Sequence, residues 1–206
     1  MNSIKAYGDD ILLQLDFLKS FKKQKNLSAN KQKNIIFSGS GDSLVSSLLA
    51  ESFSEGVAKA MDPLDLYQNK GLVKSKHVYF VSISGNTITN IKVAKVAKKA
   101  TAITSQSQSR LAKVSDGLIL LDSPNSGVFT AGSISFLESA LTCISLVKNI
   151  KIPNASLFRK ASMSAKKAKL SKRIFVLGNL YTFPIAMYCA AKFYEILGID
   201  VHYTRI

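Results

Sequence analysis

Residues 77–90 read HVYFVSISGNTITN, and this stretch decides the fold. Its first half is a continuous apolar run rich in β-branched and aromatic residues, the pattern of a strand buried on both faces. Gly85 and Asn86 break the run. ITNIKVAKVAKKA, residues 88–100, then resumes at helical spacing, with its lysines on the wet side. A buried strand, a short turn and a helix make one unit of a parallel sheet.

The same grammar continues in both directions. Upstream, NIIF (34–37) reads as a strand that ends in SGSGDS (38–43). A helix is expected over SLVSSLLAESFSEGVAKAM (43–61), stopped by Pro63, with LDLY (64–67) as a second strand. Downstream, TAITS (101–105) and GLILLD (117–122) read as strands, and LAKVSD (111–116) as the turn between them. The loop SPNSGVFTAG leads into a long apolar helix, SISFLESALTCISLVKNI (133–150). Before all of this, Ile4, Ile11, Leu12, Leu15, Leu18 and Phe21 recur at helical spacing over residues 4–25, and NLSANKQKN forms a polar connector. The expected class is α/β, a three-layer αβα sandwich around a parallel sheet. The expected divisions are 1–33 (helix and connector), 34–155 (main domain) and 156–206.

The last division holds a weak internal repeat. NIIFSGSGDS and its helix are echoed by RIFVLGNLYT, then PIAMYCAAKFYEILG, and IDVHYTRI reads as one more strand. The second copy is far shorter than the first. The chain is expected either to be truncated or to carry only a remnant of a second unit.

Composition narrows the classes. The chain has 206 residues, 47% hydrophobic and 20% charged, enough to bury a core. The N-terminus MNSIKAYGDD lacks the apolar segment of a signal peptide, and no apolar run reaches membrane-spanning length. A cytoplasmic protein with no membrane partner is expected. Cys143 and Cys189 fall in apolar helical patterns and read as buried free thiols, not as a disulfide or a metal site. No metal and no cofactor is expected. The net charge of +15 attracts anions of every kind. Its densest stretch, Arg159 to Arg173, has no nucleic-acid-binding motif beside it and reads as a solvated helix face and connector. Of the two histidines, His77 opens a strand and reads as structural, whereas His202 could be either structural or functional.

Ligands of parallel sheets bind at the carboxyl ends of the strands. That rule selects the loops Ser38–Ser43, Ser82–Thr87 and Ser105–Ser109, with Ser123–Ser135 as a fourth. SGSGDS is neither a Walker loop, lacking the GKS or GKT ending, nor a dinucleotide GxGxxG, lacking the third Gly. Ser43 could bind an anion or simply cap its helix. SISGNT is sharper: Ser82, Ser84 and Thr87 place three hydroxyls in six residues, and Gly85 frees the backbone. Hydroxyls and N–H groups are what a phosphate monoester needs from a neutral cradle, although a capped Ser/Thr turn has the same composition. TSQSQS repeats it at the next strand end.

VSISGNT resembles the S-x-S-G-x-T signature of the sugar-isomerase (SIS) family, which includes the isomerase half of glucosamine-6-phosphate synthase and archaeal phosphosugar isomerases. SGSGDSLVSSLLAESF is similar to that family's first loop and helix, and SRLAKVSD to its S-x-L-x-x-x-S-D segment. FVLGNLYTFPIAMYCAAKFYEILGIDVHY resembles the opening of the synthase's second SIS half. The resemblance is collinear over about residues 34–206. It implies a phosphate cradle of Ser82, Ser84 and Thr87 with the Ile83 backbone between them, and sugar or phosphate contacts from Ser43 and Ser109. It implies Glu195 as the base of enolisation and Lys192 as the lysine one turn before it. By spacing alone, Lys192 and Glu195 read first as an exposed intrahelical ion pair, and it is the resemblance that sets the catalytic reading beside it.

Departures accompany the resemblance. The synthase's later histidine and C-terminal lysine loop have no counterpart here, and Tyr188 stands where the synthase has a further glutamate. No glutaminase domain is expected, as no cysteine lies near residue 1. The resemblance implies a phosphosugar-binding protein, either an aldose–ketose isomerase or deaminase-isomerase for hexose or hexosamine phosphates, or a non-catalytic sensor of them. A homodimer is expected.

Overall fold

The computed structural model describes residues 3–124, 131–152, 154–171 and 173–206. Its helices and strands are α1 (Ser3–Ser20), α2 (Ala29–Gln32), β1 (Ile35–Ser38), α3 (Asp42–Phe53), β2 (Lys59–Met61), α4 (Pro63–Gln68), β3 (His77–Val81), α5 (Ile88–Ala94), β4 (Lys99–Thr104), α6 (Arg110–Val114), β5 (Gly117–Leu120), α7 (Ile134–Val147), α8 (Ala155–Lys167), β6 (Ile174–Gly178), α9 (Phe183–Leu197) and β7 (Val201–Arg205). They fall into two compact units. One comprises residues 23–122 and 135–149, the other residues 1–22, 123–134 and 150–206.

The first unit holds a five-stranded sheet in the order β2-β1-β3-β4-β5, parallel at every pairing. Alternation along the strands sends side chains to two cores. Ile35, Phe37, Tyr79, Val81 and Ile103 face one way, against Ala50 of α3 and Cys143, Leu146 and Val147 of α7. Ile36, Val78, Phe80, Ala100 and Ala102 face the other, against Leu66 of α4, Ile91, Val93 and Ala94 of α5, and Leu111 of α6. This is the three-layer αβα sandwich expected from the apolar strand runs. Phe37 and Phe80 are fully buried on opposite faces, each burial stabilising the fold by ~1.5–3 kcal/mol. The edge strand β5 alternates half-buried and exposed positions. Chain order reverses at β1, which leads to β2 on one side and neighbours β3 on the other. That reversal places a topological switch point between β1 and β3.

The second unit contains β6 and β7, paired in parallel from Ile174↔Val201 to Gly178↔Arg205, with α9 as the crossover. It is the expected start of a second βαβ unit. Glycine fixes its two turns. A Cβ on Gly178 would come within 2.7 Å of the Phe183 Cα, and Gly198 ends α9 with φ of +65°. Helix α8 carries Arg159, Lys160, Lys166 and Lys167, all exposed, and the chain beyond it carries Lys169 and Arg173, also exposed. Lys172 of the same stretch lies outside the described residues. Among the described residues, no helix is long and apolar enough to cross a membrane.

Several elements differ from expectation. Helix α1 ends at Ser20, not near residue 25. The following segment is held instead by α7, through Gln24 N–H to Ser145 Oγ (3.0 Å) and Leu27 N–H to the Leu146 carbonyl (2.8 Å). The helix expected to reach residue 61 stops at Phe53, because Glu55 and Gly56 take φ of +58° and +78°. Lys59–Met61 then form β2. LDLY is therefore helix, not strand. Pro63 opens α4, and the Asp62 carboxylate accepts the Leu64 N–H at 2.8 Å. Proline lacks the N–H that a first helical turn leaves unpaired, so it starts a helix as readily as it ends one. Helix α5 stops at Ala94, and β4 begins at Lys99. LAKVSD is mostly a short helix, α6, and not a turn.

Candidate functional site

Loops after β1, β3 and β4 gather on the carboxyl edge of the sheet beside the switch point. The β3 loop turns at Gly85, where φ is +61° and the N–H donates to the Ser82 carbonyl at 3.0 Å. A Cβ on Gly85 would lie 2.1 Å from Ser109 Oγ and 2.9 Å from Thr104 Oγ1, so glycine lets the β3 and β4 loops touch. The Leu111 N–H seals that contact by donating to the Gly85 carbonyl at 2.9 Å.

Within this frame the hydroxyls are not all caps. Thr87 occupies the N-cap of α5 without bonding its side chain to the helix. Its hydroxyl instead lies 3.1 Å from that of Ser82, which is buried. Ser84 is exposed, and its Oγ accepts the Asn86 N–H at 3.3 Å. The Ile83 carbonyl accepts from the Thr104 and Ser105 hydroxyls, both at 2.9 Å, and from the Ser105 N–H at 3.1 Å. Three bonds at one carbonyl fix the peptide around which the turn is built. Ser109 does cap: its Oγ accepts the Ala112 N–H at 3.2 Å at the start of α6.

At the β1 loop the N-cap is Gly41 (φ +57°), so Ser43 is free of the capping role that the sequence left open. Ser43 lies in the first turn of α3 against Gly39, where an added Cβ would fall 2.6 Å from its own Cβ. Thus Ser82, Ile83, Ser84, Thr87 and Ser109 come together, and Ser43 sits on the neighbouring strand's loop. The fourth loop is described only in part, since residues 125–130 lie outside the described residues.

Two further polar residues stand out, Ser38 at the start of the selected Ser38–Ser43 loop and Asn90, which the sequence reading did not single out. Ser38, the last residue of β1, and Asn90 of α5 are fully buried, and Ser38 Oγ and Asn90 Oδ1 have no hydrogen-bond partner. Asn90 Nδ2 reaches the Val81 carbonyl at 3.5 Å, at the end of β3. Unpaired buried polar atoms are rare in folded chains. For Asn90 the one available signal was its position three residues into the helix after β3.

The other pair of residues is on α9, in the second unit. Lys192 Nζ lies 2.5 Å from Glu195 Oε2, with the lysine side chain only 8% exposed and the carboxylate 44% exposed. The Lys192 ammonium also stands 5.1 Å from the centre of the Tyr188 ring. Tyr188 donates to the Gly132 carbonyl at 2.5 Å. His202 is exposed, stacked on Phe175 and 3.9 Å from Asp200. Cys143 is buried and Cys189 half-buried, both free thiols whose pKa burial raises.

The sheet order and the two helical layers match the SIS fold. Solved structures of that fold match 97–100% of the chain. The chain is similar to glucosamine-6-phosphate deaminase from Thermotoga maritima (TM-score 0.72, 19% identity, covering 100% of this chain and 70% of that one). It is similar to the C-terminal domain of glucosamine-fructose-6-phosphate aminotransferase from Francisella tularensis (0.70, 16%, 100% and 70%). Tagatose-6-phosphate ketose/aldose isomerase from Escherichia coli matches too (0.63, 18%, 99% and 64%). No protein-family model and no curated protein sequence matches the chain.

Proposed function

We propose that the chain binds a hexose or hexosamine phosphate at the carboxyl edge of its five-stranded sheet. The observation that carries the reading is the Ser82–Thr87 hydroxyl pair, which capping does not explain. The phosphate lies on Ser82, Ser84, Thr87 and the Ile83 backbone, with Ser43 and Ser109 against phosphate or sugar. A neutral cradle suits a dianion on a chain whose net charge of +15 already supplies the long-range attraction.

The reaction class is aldose–ketose isomerisation, with or without loss of an amino group. A proton moves between C1 and C2 of the open-chain sugar through an enediol. Glu195 takes the proton from one carbon and returns it to the other, and Lys192 steadies the carboxylate and the developing oxyanion. The similar solved structures include an isomerase and a deaminase of sugar phosphates, which supports this class. The protein works in the cytoplasm as a homodimer. Calorimetry with fructose 6-phosphate, glucose 6-phosphate and glucosamine 6-phosphate tests the binding: saturable heat with at least one is expected. Absence of both heat and thermal shift at millimolar ligand overturns it.

A further inference from the structure

A cavity of about 390 Å³ opens at the amino-terminal ends of β1, β3 and β4. It is on the opposite edge of the sheet from the hydroxyl loops. Strands of four to six residues hold the two edges ~15 Å apart. The volume is in the range of small-molecule sites. His77 and Lys99 line it from the first residues of β3 and β4, and Asn30, Lys31 and Asn34 from the chain leading into β1.

Its walls combine two kinds of surface. The His77 and Tyr79 rings both line the cavity and stack on each other, with centroids 4.4 Å apart, and Phe37 backs Tyr79 at 5.3 Å. His77 Nε2 lies 2.8 Å from Thr101 Oγ1, which fixes the ring. Burial, and then the Lys99 charge, hold the His77 pKa at about 4 against the opposing pull of Asp116, so this surface is uncharged at neutral pH. Asp116 is committed elsewhere, accepting the Ala100 N–H at 2.7 Å. Lys31 and Lys99 are exposed, and no carboxylate is among the lining residues.

We propose that this cavity is a second ligand site, for a small organic anion with a flat ring. The ring lies against the half-buried His77 and the small part of the buried Tyr79 that borders the cavity, and the anionic group meets Lys31 and Lys99. A bare inorganic ion would use the ammonium groups and leave the half-buried His77 ring uncovered. An uncharged aromatic would cover the His77 ring and gain nothing from the lysines.

Phenyl phosphate is the probe, titrated into protein carrying ¹³C-labelled His and Tyr rings and followed by NMR. Saturable movement of the His77 and Tyr79 signals is expected, with inorganic phosphate binding roughly tenfold more weakly or worse, a gap of ~1.4 kcal/mol. The exposed pair K31Q/K99Q should weaken phenyl phosphate by a similar factor. The S84A/T87V variant, which damages the phosphosugar loop, should leave this titration unchanged. The proposal is overturned by signals that do not move, by movement that persists undiminished in K31Q/K99Q, by equal affinity for inorganic phosphate, or by loss of the effect in S84A/T87V.

Discussion

The Thr87 hydroxyl lies 3.1 Å from the Ser82 hydroxyl and makes no bond to the helix that Thr87 begins. A threonine at an N-cap usually accepts an N–H from the first turn. Here that bond is given up for a partner across the turn. Removing the hydroxyl should therefore cost the helix little and the ligand much. Thr87→Val with Ser84→Ala should weaken hexose phosphate binding by ~1.5–3 kcal/mol for each lost bond to the charged group, with the melting temperature nearly unchanged. Calorimetry and thermal unfolding of the double variant check both halves. Unchanged affinity would place the cradle elsewhere.

Gly85 and Gly41 both have positive φ, +61° and +57°, yet their surroundings differ. A methyl on Gly41 meets nothing within 4 Å, whereas one on Gly85 strikes Ser109 Oγ and Cβ at 2.1 and 2.4 Å. Gly41→Ala should cost only the backbone strain of a position at φ +57° and ψ −127°, which side chains with a Cβ avoid, roughly 1–3 kcal/mol. Gly85→Ala adds a clash that must separate the β3 and β4 loops, for a total of roughly 3 kcal/mol or more. Urea unfolding of the two variants compares them directly. Equal losses would mean that the loops do not depend on their contact at Gly85.

How much of this could be read from residues alone is clearest at these loops. HVYFVSISGNT declared its strand and turn because an apolar β-branched run ending in Gly has few other solutions. Pro63 misled because its ring rules out a helix interior and not a helix start, and only the Asp62 bond to Leu64 N–H distinguishes the two. Strand β2 was hidden because three residues, Lys59–Met61, carry too little pattern to compete with a helical neighbour. The cradle hydroxyls were legible as composition. Which of them cap a helix was not, since Ser109 and Thr87 occupy the same kind of position and differ only in where the hydroxyl points.

His77 makes stability depend on pH. Its folded pKa is held at about 4, first by burial, against 6.5 for the free side chain. Between those values the unfolded chain binds a proton that the folded chain refuses, so stability falls as pH drops from 6.5 toward 4 and levels off below. At pH 7 and above the group contributes no slope. The ring is only partly buried, so the loss is about 1–2 kcal/mol after allowing for solvent screening. Urea midpoints at pH 7.5 and 4.5 should differ less for His77→Gln than for the parent chain. An identical pH response in the two proteins would remove His77 as its source.

Glu195 carries the catalytic proposal, and it has a structural duty that must be separated from it. Its carboxylate is the partner of Lys192, whose side chain is 8% exposed. Glu195→Gln keeps the size and one acceptor oxygen but removes the charge that compensates a nearly buried ammonium. Because the carboxylate itself is 44% exposed, water can take over part of that compensation, and the expected destabilisation is about 1–2 kcal/mol, below the cost of breaking a fully buried pair. The variant should therefore remain folded and should still bind hexose phosphate through the β3 loop. What it should lose is proton transfer, because an amide cannot relay a proton between C1 and C2. The measurement is exchange of the C2 hydrogen of glucose 6-phosphate and glucosamine 6-phosphate in heavy water, followed by NMR beside calorimetric binding. Parent exchange with none in Glu195→Gln, at similar affinity, assigns the proton to Glu195. Exchange that persists in the variant removes Glu195 from the mechanism. Binding without exchange in both proteins makes the chain a phosphosugar sensor, with Lys192 and Glu195 as a helix-stabilising pair.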